Sequence, residues 1–437
     1  GQVGRQETIN YQPSTINRIM QDYLSELYKK LSGKMKLGRQ RCETLMQGLE
    51  HPENSFHSIH IAGTNGKGTV TVVAAALLEA IGLKTGRFTS PHLIHFNERI
   101  CVDRKQIDDK YIKEFLEDHD QLLQKTQASF FEVTTALGFS YFRDQNVDVA
   151  VIETGLGGRL DATSVLTPGV SVITRIGYDH TNILGNTLSE IAREKAGIIK
   201  EGVLVLTTVQ KPEVIDELLE HTQHLHVVDP ETLFTDVKLQ SDGMSFRIGS
   251  YEQEVHSPVT GRHQLGNIAL AMSAVEEFIG RKMGINEIQR GFDLVEWKGR
   301  FEKIASNPDI IYDVAHNSES IHAFCKTAKE VYPDKLFYVV LGLLHDKSPE
   351  KVLMELGMLA DKIWIAPVNS HRSLSNEELD DLADRFPRVK QADNITVACR
   401  LACKDLPSNA VLCIVGSHYI AEEVYLWNKS QESRSKI

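Results

Sequence analysis

Short apolar runs punctuate this chain at intervals wide enough to hold a helix, and that rhythm predicts alternating strands and helices. In the first part, strands are predicted at residues 57–61, 85–88, 147–152, 170–173 and 203–206, with crossover helices between them. The unbroken run Val149-Ala150-Val151-Ile152 has the character of a strand buried on both faces of a parallel sheet. Residues 70–81 are alanine-rich and of helical length. Between 233 and 256 the pattern becomes an alternation around Ser241-Asp242-Gly243, a hairpin signal that predicts a small antiparallel addition. A second block follows Trp297-Lys298-Gly299-Arg300, with strands at 310–313, 336–341, 362–366 and 411–415. Helices are predicted there at 318–331, 349–359, 376–385 and 396–403. The boundary falls at 297, giving domains 1–297 and 298–437, and the polar tail 428–437 is expected to fray.

Composition narrows the class. A chain of 437 residues is too long for one ordinary core, and 41% apolar with 24% charged residues is globular composition. No run approaches the roughly 20 apolar residues that span a bilayer, so no membrane is expected. The mixed polar residues 1–21 hold no apolar signal core, and a cytoplasmic location is expected. The six cysteines have no C-x-x-C spacing and read as free thiols; Cys399 and Cys403, four apart, read as helix packing. A net charge of −11 argues against nucleic acid as partner, while an anionic small substrate fits if basic groups gather in one cleft.

The chemistry begins at Gly63-Thr64-Asn65-Gly66-Lys67-Gly68-Thr69, between a predicted strand and a predicted helix. Three glycines let the backbone curl its N–H groups toward an anion, and the helix adds its positive end. Lys67 would reach the outer phosphates and Thr69 would bring a hydroxyl toward magnesium. Two places are off the common pattern: Gly68 stands where Ser or Thr usually follows the lysine, and Ile61 stands where a small residue is usual. In isolation the heptapeptide is equally a glycine-rich turn.

Ligands of open parallel sheets gather at the carboxyl ends of the strands. Those ends carry Thr89-Ser90-Pro91-His92-Leu93, the run from Glu153 through Gly155, Gly157, Gly158 and Arg159 to Ala162, and Asp179-His180. Oxygen donors such as Ser90 and Glu153 suit magnesium; His180 alone reads as a hydrogen-bonded turn residue.

Together with Glu194-Lys195-Ala196-Gly197-Ile198-Ile199 and Asp313-Val314-Ala315-His316-Asn317, these motifs stand in the order seen in folylpolyglutamate synthases. From about Lys36 to its end the chain resembles the folylpolyglutamate synthase and dihydrofolate synthase branch of the Mur-type ATP-dependent amide ligases. The resemblance implies an α/β fold: a phosphate-loop parallel-sheet ATPase domain with a small antiparallel addition, then a second Rossmann-like α/β domain. It implies that Thr64, Asn65, Gly66, Lys67, Gly68 and Thr69 hold ATP, joined by Asn267, Arg300 and Asp313. Two magnesium ions are implied, with Ser90, Glu153 and His180 as ligands. Lys195 matches a lysine carried as a carbamate, although by itself it reads as an ordinary solvated helix lysine. Folate positions would be Met35, Lys36, Leu37, Phe130, Phe131, Glu132, Leu160, Asp161 and Ala162. Ser417 and His316 match positions associated with incoming L-glutamate, and His316 reads equally as a structural histidine. Lys67, Lys195, His316 and Arg300 are the expected catalytic set.

The implied reaction joins L-glutamate to a folate, or to dihydropteroate, through an acyl phosphate. A monomer is expected, closing about the hinge at 297–300. Two residues depart from the family pattern, Lys298 and Ser318, both where proline is common. A cell-wall ligase of the same superfamily is the nearest alternative, but too little chain precedes Gly63 for its usual first domain. A non-catalytic nucleotide-binding switch would need the loop without Lys195 or Asp313.

Overall fold

A computed structural model describes residues 39–249 and 251–434. Met35, Lys36 and Leu37 lie outside them. The first sheet has eight strands, ordered Lys105–Gln106, Ile100–Val102, Thr85–Phe88, Val149–Glu153, His57–Ala62, Val170–Ile173, Leu204–Thr208 and Leu225–Val228. All neighbours are parallel except the two short strands at the Ile100 edge. The predicted strand at 147–152 runs instead over Val149–Glu153, because the Val147 amide bonds the Phe142 carbonyl and closes the preceding helix. Its last residue, Glu153, pairs in register with Ile61, so a carboxylate arrives beside the phosphate loop.

Both faces of this sheet are covered, as the apolar run required. Val149 and Val151 pack toward helices Lys67–Ala80 and His263–Ile279, whereas Ala150 and Ile152 point to the core that includes helix Phe130–Asp144. Helix Lys67–Ala80 is buried from Thr69 through Leu78, the all-round apolarity of an internal helix. The hairpin signal is met by a three-stranded antiparallel sheet of Phe234–Gln240, Gly243–Ile248 and Glu254–Ser257.

The second sheet is ordered Glu302–Ala305, Ile310–Asp313, Ala410–Gly416, Leu336–Gly342, Lys362–Ile365 and Val389–Gln391, parallel but for the first strand. Helix Ser318–Val331 starts without proline, its Asn317 side chain accepting the Ser320 amide at 2.9 Å. The tail does not fray as expected. Helix Ala421–Arg434 continues through it because Val424 and Trp427 are buried in the second core and Asn428 donates to the Ile304 carbonyl. Sequence polarity concealed that anchoring, since Trp427 stands alone among polar neighbours.

The carboxyl ends of both sheets face one cleft of about 1430 Å³. Leu93 and Ile94 of the first part pack against the second core, and polar pairs bridge the rest. Among the described residues no helix is long and apolar enough to cross a membrane, and the cysteines are free.

Candidate active site

The phosphate loop is held open by bonds to the next strand end. The amides of Thr64 and Asn65 donate to the Arg175 carbonyl, the Gly177 amide donates to Thr64 Oγ1, and Thr174 Oγ1 donates to the Asn65 carbonyl. Gly66 has φ of +94°, and a Cβ on it would stand 2.1 Å from Asn267 Oδ1, so both backbone and neighbour demand glycine. Lys67 Nζ folds back to the carbonyls of Gly63 and Thr64, both at 3.2 Å. Thr69 differs from the expected free hydroxyl: it is buried and accepts the Trp297 indole N–H at 3.2 Å.

Lys195 is no solvated helix lysine. It is 3% exposed, and its Nζ donates to the Gly63 carbonyl at 2.7 Å, joining helix Leu188–Ala196 to the loop. Burial, aided by the Lys67 charge, lowers its pKa to about 7. The helix reaches this depth because the turn at 155–162 packs on its end. A Cβ on Gly197 would lie 2.1 Å from Arg159 Cα, and one on Gly158 would lie 2.7 Å from the Lys195 carbonyl. Gly197→Ala is therefore expected to cost about 1–3 kcal/mol through overpacking, read as a lowered thermal midpoint. An unchanged midpoint would show that the turn yields.

Glu153 is buried and its Oε2 accepts the Ser90 amide at 3.1 Å. Burial raises its carboxyl pKa more than Lys67, the Ser90 amide and Arg300 lower it. His180 has φ of +50°, lines the same cleft, and is held below its ordinary pKa chiefly by burial. Burial would raise its neighbour Asp179, but the charges of His180 and Lys347 prevail and lower it; Lys347 Nζ reaches Asp179 from the second domain at 3.0 Å.

Across the cleft, Asp313 accepts the amides of Phe301 and Ala315, each at 2.7 Å, while burial raises its pKa against the pull of Arg300. His316 Nδ1 lies 2.8 Å from the Val314 carbonyl, which can only accept, so Nδ1 carries the proton and Nε2 keeps its lone pair. Burial lowers its pKa to about 4, keeping the ring neutral. Ser417 follows the strand Ala410–Gly416 and its Oγ accepts the Tyr419 amide; Ser417 and His418 line the cleft.

Of the expected folate positions, Phe130 lines the cleft, with the Arg99 guanidinium 5.6 Å from its ring centre. Phe131 lies under Gly155. Glu132 and Asp161 are buried and committed to the scaffold. Glu132 caps its own helix and pairs with Arg41; Asp161 accepts from the amides of Gly155, Leu156 and Thr163 and from Thr163 Oγ1. Leu160 is half-buried, and the Ala162 carbonyl accepts from Cys42 Sγ. Sequence reasoning missed His92 and Arg99, joined at 2.8 Å beside this wall, and Lys347 and Glu319 from the second domain. Only their placement in strand-end loops and at a helix start could have signalled them.

The family model for the Mur ligase middle domain matches residues 61–275, and that for the Mur ligase glutamate ligase domain matches residues 299–418. The chain is 34% identical to the dihydrofolate synthase/folylpolyglutamate synthase of Bacillus subtilis, over 92% of this chain and 98% of that one. Its structure resembles Mycobacterium tuberculosis folylpolyglutamate synthase complexed with ADP, at a TM-score of 0.86 and 31% identity, covering 93% of this chain and 99% of that one. It also resembles E. coli FolC in complex with DHPP and ADP, at a TM-score of 0.83 and 25% identity over 94% and 98% of the two chains.

Proposed function

We propose a function from one premise: the chain belongs to the Mur ligase family, in the branch of the folylpolyglutamate and dihydrofolate synthases. It is an ATP-dependent ligase that joins L-glutamate to a folate in amide linkage, with dihydropteroate as a second acceptor. The observation that carries this reading is convergence: the loop with Lys67, the buried Lys195 amine, and Arg300 with Asp313 all meet at one cleft.

A carboxylate resists attack by an amine, so the acceptor's carboxylate oxygen first takes the terminal phosphoryl group of ATP, and ADP leaves. The glutamate amine then forms the C–N bond, phosphate departs with the C–O bond's electrons, and the amine's surplus proton must be removed. Loop amides from Thr64 to Thr69 and Lys67 hold the phosphates, where developing charge is stabilised by fixed donors. Asn267 and Asp313 would hold the nucleotide from the two domains, and Arg300 adds a cation across the cleft. His316, neutral with a free Nε2 lone pair, would orient the amine or accept its proton.

The residues present fit magnesium. Glu153 is a carboxylate that burial drives toward protonation, which a cation would relieve; Ser90 adds an oxygen and His180 a neutral nitrogen. When bound, magnesium neutralises phosphate charge. Lys195 fits a carbamate, because only a neutral amine adds CO2 and its lowered pKa keeps much of it neutral near pH 7. The carbamate would provide a second anionic oxygen pair for the metal. The cytoplasm, where ATP and folates are at hand, is the proposed location.

ATP turnover measured with and without L-glutamate and a pterin carboxylate tests the reading. Phosphate release is expected only when both are present, with mass spectrometry showing the added glutamate. Turnover independent of both co-substrates would overturn the ligase assignment.

A further inference from the structure

Gly68, off the usual phosphate-loop pattern, has a structural reason in this fold. It lies in the first turn of helix Lys67–Ala80 with no positive φ, where alanine is intrinsically favoured. A methyl group there would stand 2.6 Å from Trp297 Cζ2 and 3.1 Å from Cη2. Those atoms belong to the benzo ring of the indole. The same indole donates to Thr69 Oγ1, 228 residues away in sequence, and the Arg300 guanidinium lies 5.0 Å from its ring centre. Trp297 is thereby clasped between the phosphate helix and an arginine that stands within reach of Asp313 and Glu153.

We propose that Trp297 is a positioning residue for phosphoryl transfer: seated on Gly68, it fixes Arg300 relative to the phosphate loop. Arg300 keeps its charge without the ring but loses the cation–π partner that restricts its rotamers. Because the developing phosphoryl charge is stabilised only by donors already in place, the loss falls on kcat more than on KM for ATP. The proposal rests on the ligase reading for its kinetic readout and on nucleotide binding alone for its structural one.

The test uses the full chain and four variants: Gly68→Ala, Trp297→Phe, Trp297→Leu and the pair Gly68→Ala/Trp297→Phe. Phenylalanine keeps a ring for Arg300 but lacks the benzo atoms that meet position 68. Trp297→Leu is expected to lower kcat about tenfold with KM for ATP nearly unchanged. Gly68→Ala is expected to lower kcat about tenfold or more in the parent, yet less than about twofold in the Trp297→Phe background. A penalty for Gly68→Ala that persists in full in that background overturns the seat, and Trp297→Leu with parental kcat overturns the positioning role. Should Trp297→Leu fail to fold, the pair with Trp297→Phe still decides. Should the parent show no glutamate-dependent turnover, the ligase reading fails, while the same cycle measured as ADP affinity by calorimetry supports or refutes the seat.

Discussion

Lys195→Ala is expected to lower turnover by about 10²–10³-fold, the scale of removing one fixed electrostatic stabiliser from an active site. The amine is 3% exposed, bonded to the Gly63 carbonyl, and poised near pH 7. Protonated, it cannot attack CO2; neutral, it can. Activity at constant dissolved CO2 should therefore rise as pH passes upward through about 7. Stability follows the same sign. The folded pKa lies below the unfolded one, so the unfolded chain holds more protons from about pH 7 up to the ordinary lysine range of 10.5, and stability rises with pH across that window. Short carboxylates are expected to restore part of the Lys195→Ala activity by lending the missing oxygens. Parental activity in the variant, with ordinary CO2 present, would refute the carbamate role.

Asp313→Ala is expected to raise KM for ATP and lower kcat/KM roughly 10–150-fold, since a hydrogen bond to a charged group is worth about 1.5–3 kcal/mol. Two backbone amides, of Phe301 and Ala315, lose their acceptor at the same time. That loosens the chain where it enters the second sheet, while the eight-stranded sheet keeps its own cores. Calorimetric melting should accordingly show the effect confined to the second part of the molecule, and steady-state kinetics should show the nucleotide defect. Unchanged kinetics would remove Asp313 from the site.

The fold was readable where strands are buried on both faces. Val149 to Ile152 need no alternation because sheet neighbours and helices cover both sides, so an unbroken apolar run marks them. The loop was readable because strand, glycines and helix are contiguous in sequence. Burial of Lys195 was not: a single lysine on a helix gives no sign that the turn at 155–162 and the Gly63 carbonyl will close over it. The contact of Trp297 with Thr69 was illegible for the same reason, spanning 228 residues. At the tail, one tryptophan outweighed the polar residues around it, because burying an indole contributes more than propensity does over the same turns.

The cleft is bridged largely by polar pairs: Glu319 with Arg175 and Asn65, Asp179 with Lys347, and Arg262 with Glu330. Exposed pairs of this kind contribute about 0–1 kcal/mol each, and salt screens them within roughly 8 Å at physiological strength. Two halves fastened this lightly part at little cost beyond uncovering Leu93 and Ile94. For a catalyst that lengthens a tail one unit per cycle, such fastening favours tempo over grip: spent nucleotide escapes quickly, and the ionic strength of the surroundings acts as a throttle on how often the jaws reopen.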